Sequence, residues 1–444
     1  MRERKNMNDR QMHLGLYAVG TGNHIAGWRH PGASVTSEEL HVFKSIAASA
    51  ERGKLDFIFV GDNLAFLFDG HPGQMLRLEP TTLLSALACV TSKIGLVGTA
   101  STTFSEPFNI ARQFASLDHL SGGRAGWNVV TTTTNEAAMN FGRKEMVEHE
   151  HRYEIATEFV EVVEGLWDSW EDGARVLNKE TGQYYDRSKV HILDHKGKYF
   201  TVKGPLNLTR TPQGRPIIVQ AGSSPSGQKL AARYAEVVFT VQLDKDEACK
   251  FTSGLKKQVA AFGRDPHHCK VMPGLVPIVG RTDGEAKDKL VQLMKYVDPV
   301  SAMRTMSLRF GHDMSVYPLD GPVPDLPVSN LAQTYSKVAT SKAKRLGYNL
   351  RDIYNEIAVA RGYLMFCGSA ATVVDLMEEW FIDGAADGFN LLPPHFPESL
   401  DDFVDLVIPE LQRRKLFRKD YIGSTLRDHL GVPIPKNRFA PSAG

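Results

Sequence analysis

Short apolar runs alternate along this chain with longer stretches in which apolar residues return every three or four positions. The runs at residues 11–19, 55–60, 94–100, 124–130, 216–220, 236–241, 271–280 and 388–392 predict strands. Between them, helical spacing predicts helices at 37–52, 79–91, 107–120, 148–170, 247–262, 370–383 and 400–415. The run at 55–60 reads LDFIFV, almost without polar breaks, as expected for a parallel strand covered on both faces. Strands alternating with helices indicate a parallel α/β sheet. Eight such strands are enough to close a (β/α)8 TIM barrel, which we favour over an open doubly wound sheet.

The rhythm breaks in two places. Residues 171–215 are rich in Gly, Asp, Lys and Tyr and predict an insertion carrying a hairpin rather than another strand–helix unit. Residues 298–341 include PLDGPVPDLP and few core signals, a length too great for an ordinary connection, and predict an active-site lid. With a helix and polar tail over 400–444, the expectation is one domain over 1–444, without internal repeats.

Composition narrows the function classes. With 52 basic and 51 acidic side chains the net charge is +1, which gives no electrostatic footprint for nucleic acid. No apolar run approaches the roughly 20 residues of a membrane span, and the charged start MRERKNMNDRQ lacks a signal core. The four cysteines, Cys89, Cys249, Cys269 and Cys367, are far apart and form no CxxC pair. These features predict a reduced, cytoplasmic protein.

Barrel enzymes work at the C-terminal ends of their strands, so residues just past each strand are the candidates. Past the first come Gly20, Thr21, Gly22, Asn23 and His24; no helix follows at the right place, so this is no dinucleotide fingerprint, and His24 is a loop histidine and a candidate site residue. Past the second is Asp62, able to hold a ligand N–H or simply to cap a turn. The third ends in four hydroxyls within residues 99–103 (TASTT), including Thr99, although β-branched propensity accounts for any one of them. The stretch 121–153 joins a Gly-Gly turn, a strand, a threonine ladder over 131–134 and a His- and Tyr-bearing helix start. After the fifth strand, small residues at 221–227 with Pro225 place backbone N–H groups at a helix N-terminus, the best phosphate cradle in the chain. His267, His268 and Cys269 fall on the opposite, stability face, and EHEH at 148–151 lacks the HExxH spacing, so no metal is expected.

Several longer motifs carry a resemblance. They are HIAGWRHP (24–31), ERGKLDFIFVGD (51–62), LDHLSGGRAGWNVVT (117–131), NFG and EHEHRYE (140–142, 148–154), SKVHILDHKGKYFTVKGPL (188–206), PQGRPIIVQAGSSPSG (212–227), GAADGFNL (384–391), and VIPELQRR with STLRDHLG (407–414, 424–431). In this order they resemble the flavin-dependent monooxygenases of the bacterial luciferase-like group. That group includes the oxygenating component of nitrilotriacetate monooxygenase, pristinamycin IIA synthase, dibenzothiophene-sulfone monooxygenase and long-chain alkane monooxygenase. The resemblance implies a luciferase-like barrel with insertions and a C-terminal helical extension. It implies reduced FMN (FMNH2), supplied by a separate NAD(P)H:flavin reductase, and oxygenation of a small organic substrate by O2. An organosulfur compound such as a sulfone or thioether, cleaved at C–S, is one candidate.

Carried over by position, the FMN contacts are Asp62, Thr99, Thr131, Thr132, His149, Tyr153, Ser223 and Ser224, and the catalytic candidates are His24, Asn128 and His312. A homodimer or homotetramer is expected, with no nucleic-acid or membrane partner. The chain departs from the pattern at Arg309, where related members carry a lid histidine, and at Thr133, where some carry histidine. The alternatives are a deazaflavin- or flavin-dependent oxidoreductase of the same fold, a non-catalytic flavin-binding protein, and a metal-dependent barrel hydrolase.

Overall fold

The computed structural model describes residues 10–66, 68, 71–326 and 333–440. Its strands are β1 (His13–Tyr17), β2 (Phe57–Val60), β3 (Gly95–Ser101), β4 (Ala125–Val130), the hairpin pair β5 (His195–Lys196) and β6 (Thr201–Val202), β7 (Ile217–Gln220), β8 (Val237–Thr240), β9 (Lys270–Gly280), β10 (Leu364–Ser369) and β11 (Gly388–Leu391). Eight of them form a closed parallel ring in the order β1-β2-β3-β4-β7-β8-β9-β11, sealed where β11 returns to β1 with His13 opposite Gly388. These are the eight runs read from the sequence, and the fold is the expected (β/α)8 barrel.

Strand alternation explains the two layers of core. Phe57, Phe59, Val97, Ile217, Val219, Val237 and Met272 point inward and fill the barrel, with Tyr17 and Phe239 packed against them. Their neighbours Leu14, Leu16, Ile58, Val60 and Leu96 point outward, against residues of helices Leu40–Arg52, Pro80–Ala88 and Ala370–Ile382. The lower mouth is stopped by helix Leu426–Leu430, whose Leu426 and Leu430 join the interior cluster. Gly95 makes room for that stopper: a Cβ there would lie 2.5 Å from Leu426.

Three features differ from the sequence reading. Strand β10 was not anticipated; it lies outside the ring along the far half of the eleven-residue β9, with Leu364 opposite Leu275 and Ser369 opposite Gly280. Its run, LMFCGS, carries no β-branched residue, which hides it from a propensity reading. The stretch 298–341, read as poor in core signals, contains helix Pro299–Phe310 and the first part of helix Gln333–Leu346. Ala302, Met306 and Phe310 recur every four residues and, with Ala339 and Ala343, join Leu350, Ile353 and Ile357 of helix Leu350–Ala360 in a separate apolar cluster. That cluster touches the loops after β1 and β8 through Ile25 and Leu243, and residues 327–332 of the stretch lie outside the described residues. The expected helix at 400–415 is divided by a π turn at Phe403–Val407, just before Pro409, which has no N–H to donate to a regular ladder. Among the described residues, no helix is long and apolar enough to cross a membrane.

Candidate active site

At the C-terminal end of the ring, β2, β3, β4 and β7 end side by side and surround a cavity of about 290 Å³, near the lower end of the small-molecule range. Its lining includes Asp62, Asn63, Thr99, Ser101, Thr131, Thr132, Thr134, Tyr153, Gln220 and Gly222. Register sets the inner wall. Thr99 is paired with Asn128 across β3 and β4, and Asn128 Nδ2 donates to Thr99 Oγ1 at 2.9 Å. Among the described residues the amide oxygen of Asn128 is buried without a partner, an open acceptor next to the wall. Above it, Thr132 donates to Ser101 Oγ at 2.7 Å, which itself accepts from the Thr103 N–H at 3.1 Å. Much of the hydroxyl ladder is thus satisfied internally. The buried Thr134 hydroxyl has no partner.

The opposite end is built for an anion. Helices His149–Trp167 and Pro225–Tyr234 begin beside one another, joined by Ser226 Oγ, which donates to Glu150 at 2.7 and 2.8 Å. Two helix N-termini converging on one place present unsatisfied N–H groups and positive dipole ends. Ser224 caps the second helix by accepting from the Gly227 N–H at 3.2 Å, with Pro225 at the first helical position. Gln220 turns its Oε1 back to the Gly222 N–H at 2.7 Å. A Cβ on Gly222 would stand 2.4 Å from Gln220 Nε2 and 2.8 Å from the Tyr153 hydroxyl, so a side chain there would displace one of these two groups. Asp62, half-buried, accepts from the Asn63 N–H at 2.8 Å, and burial raises its carboxyl above the usual range.

Residues 21–387 match the family described as Luciferase-like monooxygenase. The chain belongs to that family. It is 50% identical over 435 residues to N-acetyl-S-(2-succino)cysteine monooxygenase of Bacillus subtilis (strain 168), covering 97% of this chain and 99% of that protein. It is 45% identical over 448 residues to nitrilotriacetate monooxygenase component A of Aminobacter aminovorans, with 97% and 99% covered. The crystal structure of DmoA from Hyphomicrobium sulfonivorans superposes with a TM-score of 0.87 at 30% identity, over 95% of this chain and 92% of that one. This luciferase-like chain is a flavin-dependent monooxygenase.

The residues present suit a flavin nucleotide: small residues at two helix N-termini match a phosphate, and the open Asn128 oxygen beside Thr99 matches a polar ring edge. Of the residues singled out from sequence, Asp62, Thr99, Thr131, Thr132 and Tyr153 line the cavity, as does Thr133. Asn128 adjoins it through Thr99. His149 flanks Tyr153 with ring centroids 5.0 Å apart. Ser223 and Ser224 follow the lining residue Gly222, and Ser223 Oγ meets Thr240 Oγ1 at 3.1 Å. Ser101, Asn63, Gln220 and Thr134 also line it. Ser101 and Thr134 belong to the hydroxyl runs read from the sequence, while the signal for Asn63 and Gln220 was position alone, at or within three residues of a strand end.

The two histidines are not among the lining residues. His24 is buried after β1, with Nδ1 accepting from the Ala26 N–H at 3.0 Å, which leaves its proton on Nε2, a buried donor with no partner. Burial, and then the nearby His30, lowers its pKa to about 4. Its carbonyl accepts from His71 Nε2 at 3.0 Å, which ties the loop down. His312 follows the left-handed cap Gly311 of helix Pro299–Phe310, its N–H donating to the Ser307 carbonyl at 3.2 Å. A further group, His30, His395 and Glu398, brings ligand atoms within 4.8 Å of one another. Lys289 already supplies a cation beside it, 3.8 Å from Glu398 and 2.6 Å from Asp402.

Proposed function

We propose that this chain is the oxygenase component of a two-component system that receives FMNH2 from a separate NAD(P)H:flavin reductase. It uses O2 to oxygenate a small organosulfur substrate and break a C–S bond. The observation that carries this reading is one cavity lined at one side by Tyr153 and Gly222, with the helix cap Ser224 next to them, and at the other by Thr99, to which Asn128 donates. The substrate class is supported by the relative at 50% identity, whose name specifies a thioether, N-acetyl-S-(2-succino)cysteine.

Bound reduced flavin supplies the two electrons that let one oxygen atom enter the substrate and the other leave as water. The chain's own part is binding, orientation and exclusion of bulk solvent. The helix N-termini and Tyr153 hold the phosphate end, while Asn128 and Asp62 offer acceptors to ring N–H groups. His24, neutral above pH 5 or so by its lowered pKa, contributes an Nε2–H donor rather than a base. The helices within 298–341, packed over the loops after β1 and β8, act as the cover that keeps water out.

The test is reconstitution with FMN, a generic flavin reductase, NADH and O2, followed by product analysis with N-acetyl-S-(2-succino)cysteine, other thioethers and sulfones. Cleaved, oxygenated product at the expense of peroxide is expected. Peroxide alone with every substrate would overturn the reading.

A further inference from the structure

We propose that Arg361 and Arg309 form a carboxylate-recognition subsite on the rim of the flavin cavity, so that the substrate taken here carries at least one free carboxylate. This deepens the oxygenase reading above and rests on it.

Arg361 is the anomaly. It occupies the left-handed C-cap of helix Leu350–Ala360 at φ 52°, where glycine is the usual choice, and its side chain is driven into the interior, leaving the residue 5% exposed. Its Nη1 donates to Asn23 Oδ1 at 3.3 Å, and its Nε is buried without a partner. The charged and titratable groups that act on it most strongly are Arg309, Tyr363, Tyr17 and Arg77, with His71 also in range, and among the described residues no carboxylate forms an ion pair with it. Burial, then the Arg309 charge, lowers its pKa to about 10. Burying one guanidinium beside another without a counter-charge is costly. A protein tolerates such a pair where an anion from outside completes it.

Position links this pair to the chemistry. The Arg309 guanidinium lies 5.1 Å over the Tyr363 ring, which stacks on Phe239 with centroids 5.8 Å apart, and Phe239 stacks on Tyr17 at 6.3 Å. The Tyr17 hydroxyl closes on Gly61, where a Cβ would lie 2.5 Å away, and the next residue, Asp62, lines the cavity. The arginines and the flavin site therefore share one aromatic floor, at the end away from the Tyr153 cradle. Arg309 comes from the helix that covers the barrel, and it replaces the histidine that the family resemblance leads one to expect there. Two planar forks beside an aromatic floor suit bidentate recognition of carboxylate on an otherwise compact substrate.

The experiment uses FMN-loaded protein and two probes, N-acetyl-S-(2-succino)cysteine and its methyl esters, with dissociation constants from calorimetry and KM and kcat from turnover. The wild type should bind the acid at least tenfold more tightly than the esters. Arg309→Gln should raise the Kd and KM for the acid about tenfold to a hundredfold, the span of a charge-assisted hydrogen bond, with a smaller change in kcat. The Kd for FMN should not move. Arg361→Gln should do the same, with part of the affinity recovered in Arg361→Lys. If Arg361 variants fail to fold, the half-buried Arg309 carries the test. Equal binding of acid and esters overturns the subsite, and so does a loss of FMN affinity in Arg309→Gln, which would assign the arginines to the cofactor. Arginine-dependent binding of the acid without any oxygenated product upholds the subsite while defeating the oxygenase reading. Oxygenation of acid and esters alike in every variant does the reverse.

Discussion

Both ends of the barrel bury arginine, under opposite arrangements. At the N-terminal end, Arg418 meets Asp56, which also accepts from the Leu14 N–H at 2.7 Å and pairs with His13 at 3.1 Å. Nearby, Asp168 gathers Arg210 at 2.7 Å, Arg438 at 3.4 Å and Arg215. At the C-terminal end, among the described residues, Arg361 has only an amide oxygen as hydrogen-bond partner, while Asn128 Oδ1 and His24 Nε2 have none. Carboxylates supplied from within neutralise the arginines of the first end, even though Arg418 Nη1 and both His429 ring nitrogens there also lack a hydrogen-bond partner among the described residues. Polar groups left open at the second are what a cofactor and a substrate can satisfy. The difference separates residues that hold the fold from residues that await a ligand, although both are buried and both look alike in the sequence.

The comparison can be broken most sharply from below. Asp56→Ala strands Arg418 in the interior and should cost about 3–5 kcal/mol of stability, read as a fall in the urea midpoint, with FMN affinity of the folded protein unchanged. The same carboxyl sets a pH dependence. Burial pushes its pKa up, but the Arg418 charge, His13 and the Leu14 N–H outweigh this and hold it at about 2. Because that is below the unfolded value of about 3.9, the contribution is complete above about pH 4 and is lost as pH falls towards 2. Wild-type stability should therefore drop more steeply than that of Asp56→Asn across this window.

From above, the largest effect should come from Gly222→Ala. Its methyl group would displace Gln220 or the Tyr153 hydroxyl, and FMN affinity should fall tenfold or more while the melting temperature barely moves. Ser224→Ala and Tyr153→Phe should each weaken FMNH2 binding by about 1–3 kcal/mol, measured by flavin titration under anaerobic conditions. Unchanged affinity in both would remove the proposed cradle. The smallest effect concerns His24. With its pKa lowered to about 4, the kcat profile should show no limb from this group between about pH 5.5 and 7.5. A limb there that vanishes in His24→Asn would make it a proton carrier instead.

Most of the ring was legible because inward and outward positions are both apolar in a parallel barrel, so Phe57–Val60 and Ile217–Gln220 stand out as runs. β10 was not, since it serves the outer face of one strand and lacks the branched residues that mark a run. The proposed phosphate end was legible because small residues, a proline and a serine cap advertise a helix N-terminus. The inner wall was harder to read: Asn128 and Thr99 look like ordinary strand positions until register sets them opposite one another. Arg361 could not be recognised at all, because its meaning lies in having no carboxylate paired with it among the described residues, a property of three-dimensional neighbours rather than of spacing.

The stopper at the lower mouth has a consequence for how the molecule comes into being. Leu426 and Leu430 fill the same interior as Phe57 and Val97, residues that leave the ribosome hundreds of positions earlier. The first strand likewise finds one of its two neighbours only when Gly388–Leu391 has been made. During synthesis the nascent half-barrel holds an open sheet edge and an uncovered aromatic interior until almost the last helix arrives. Loss of the final two dozen residues should thus damage assembly far more than their distance from the active site suggests.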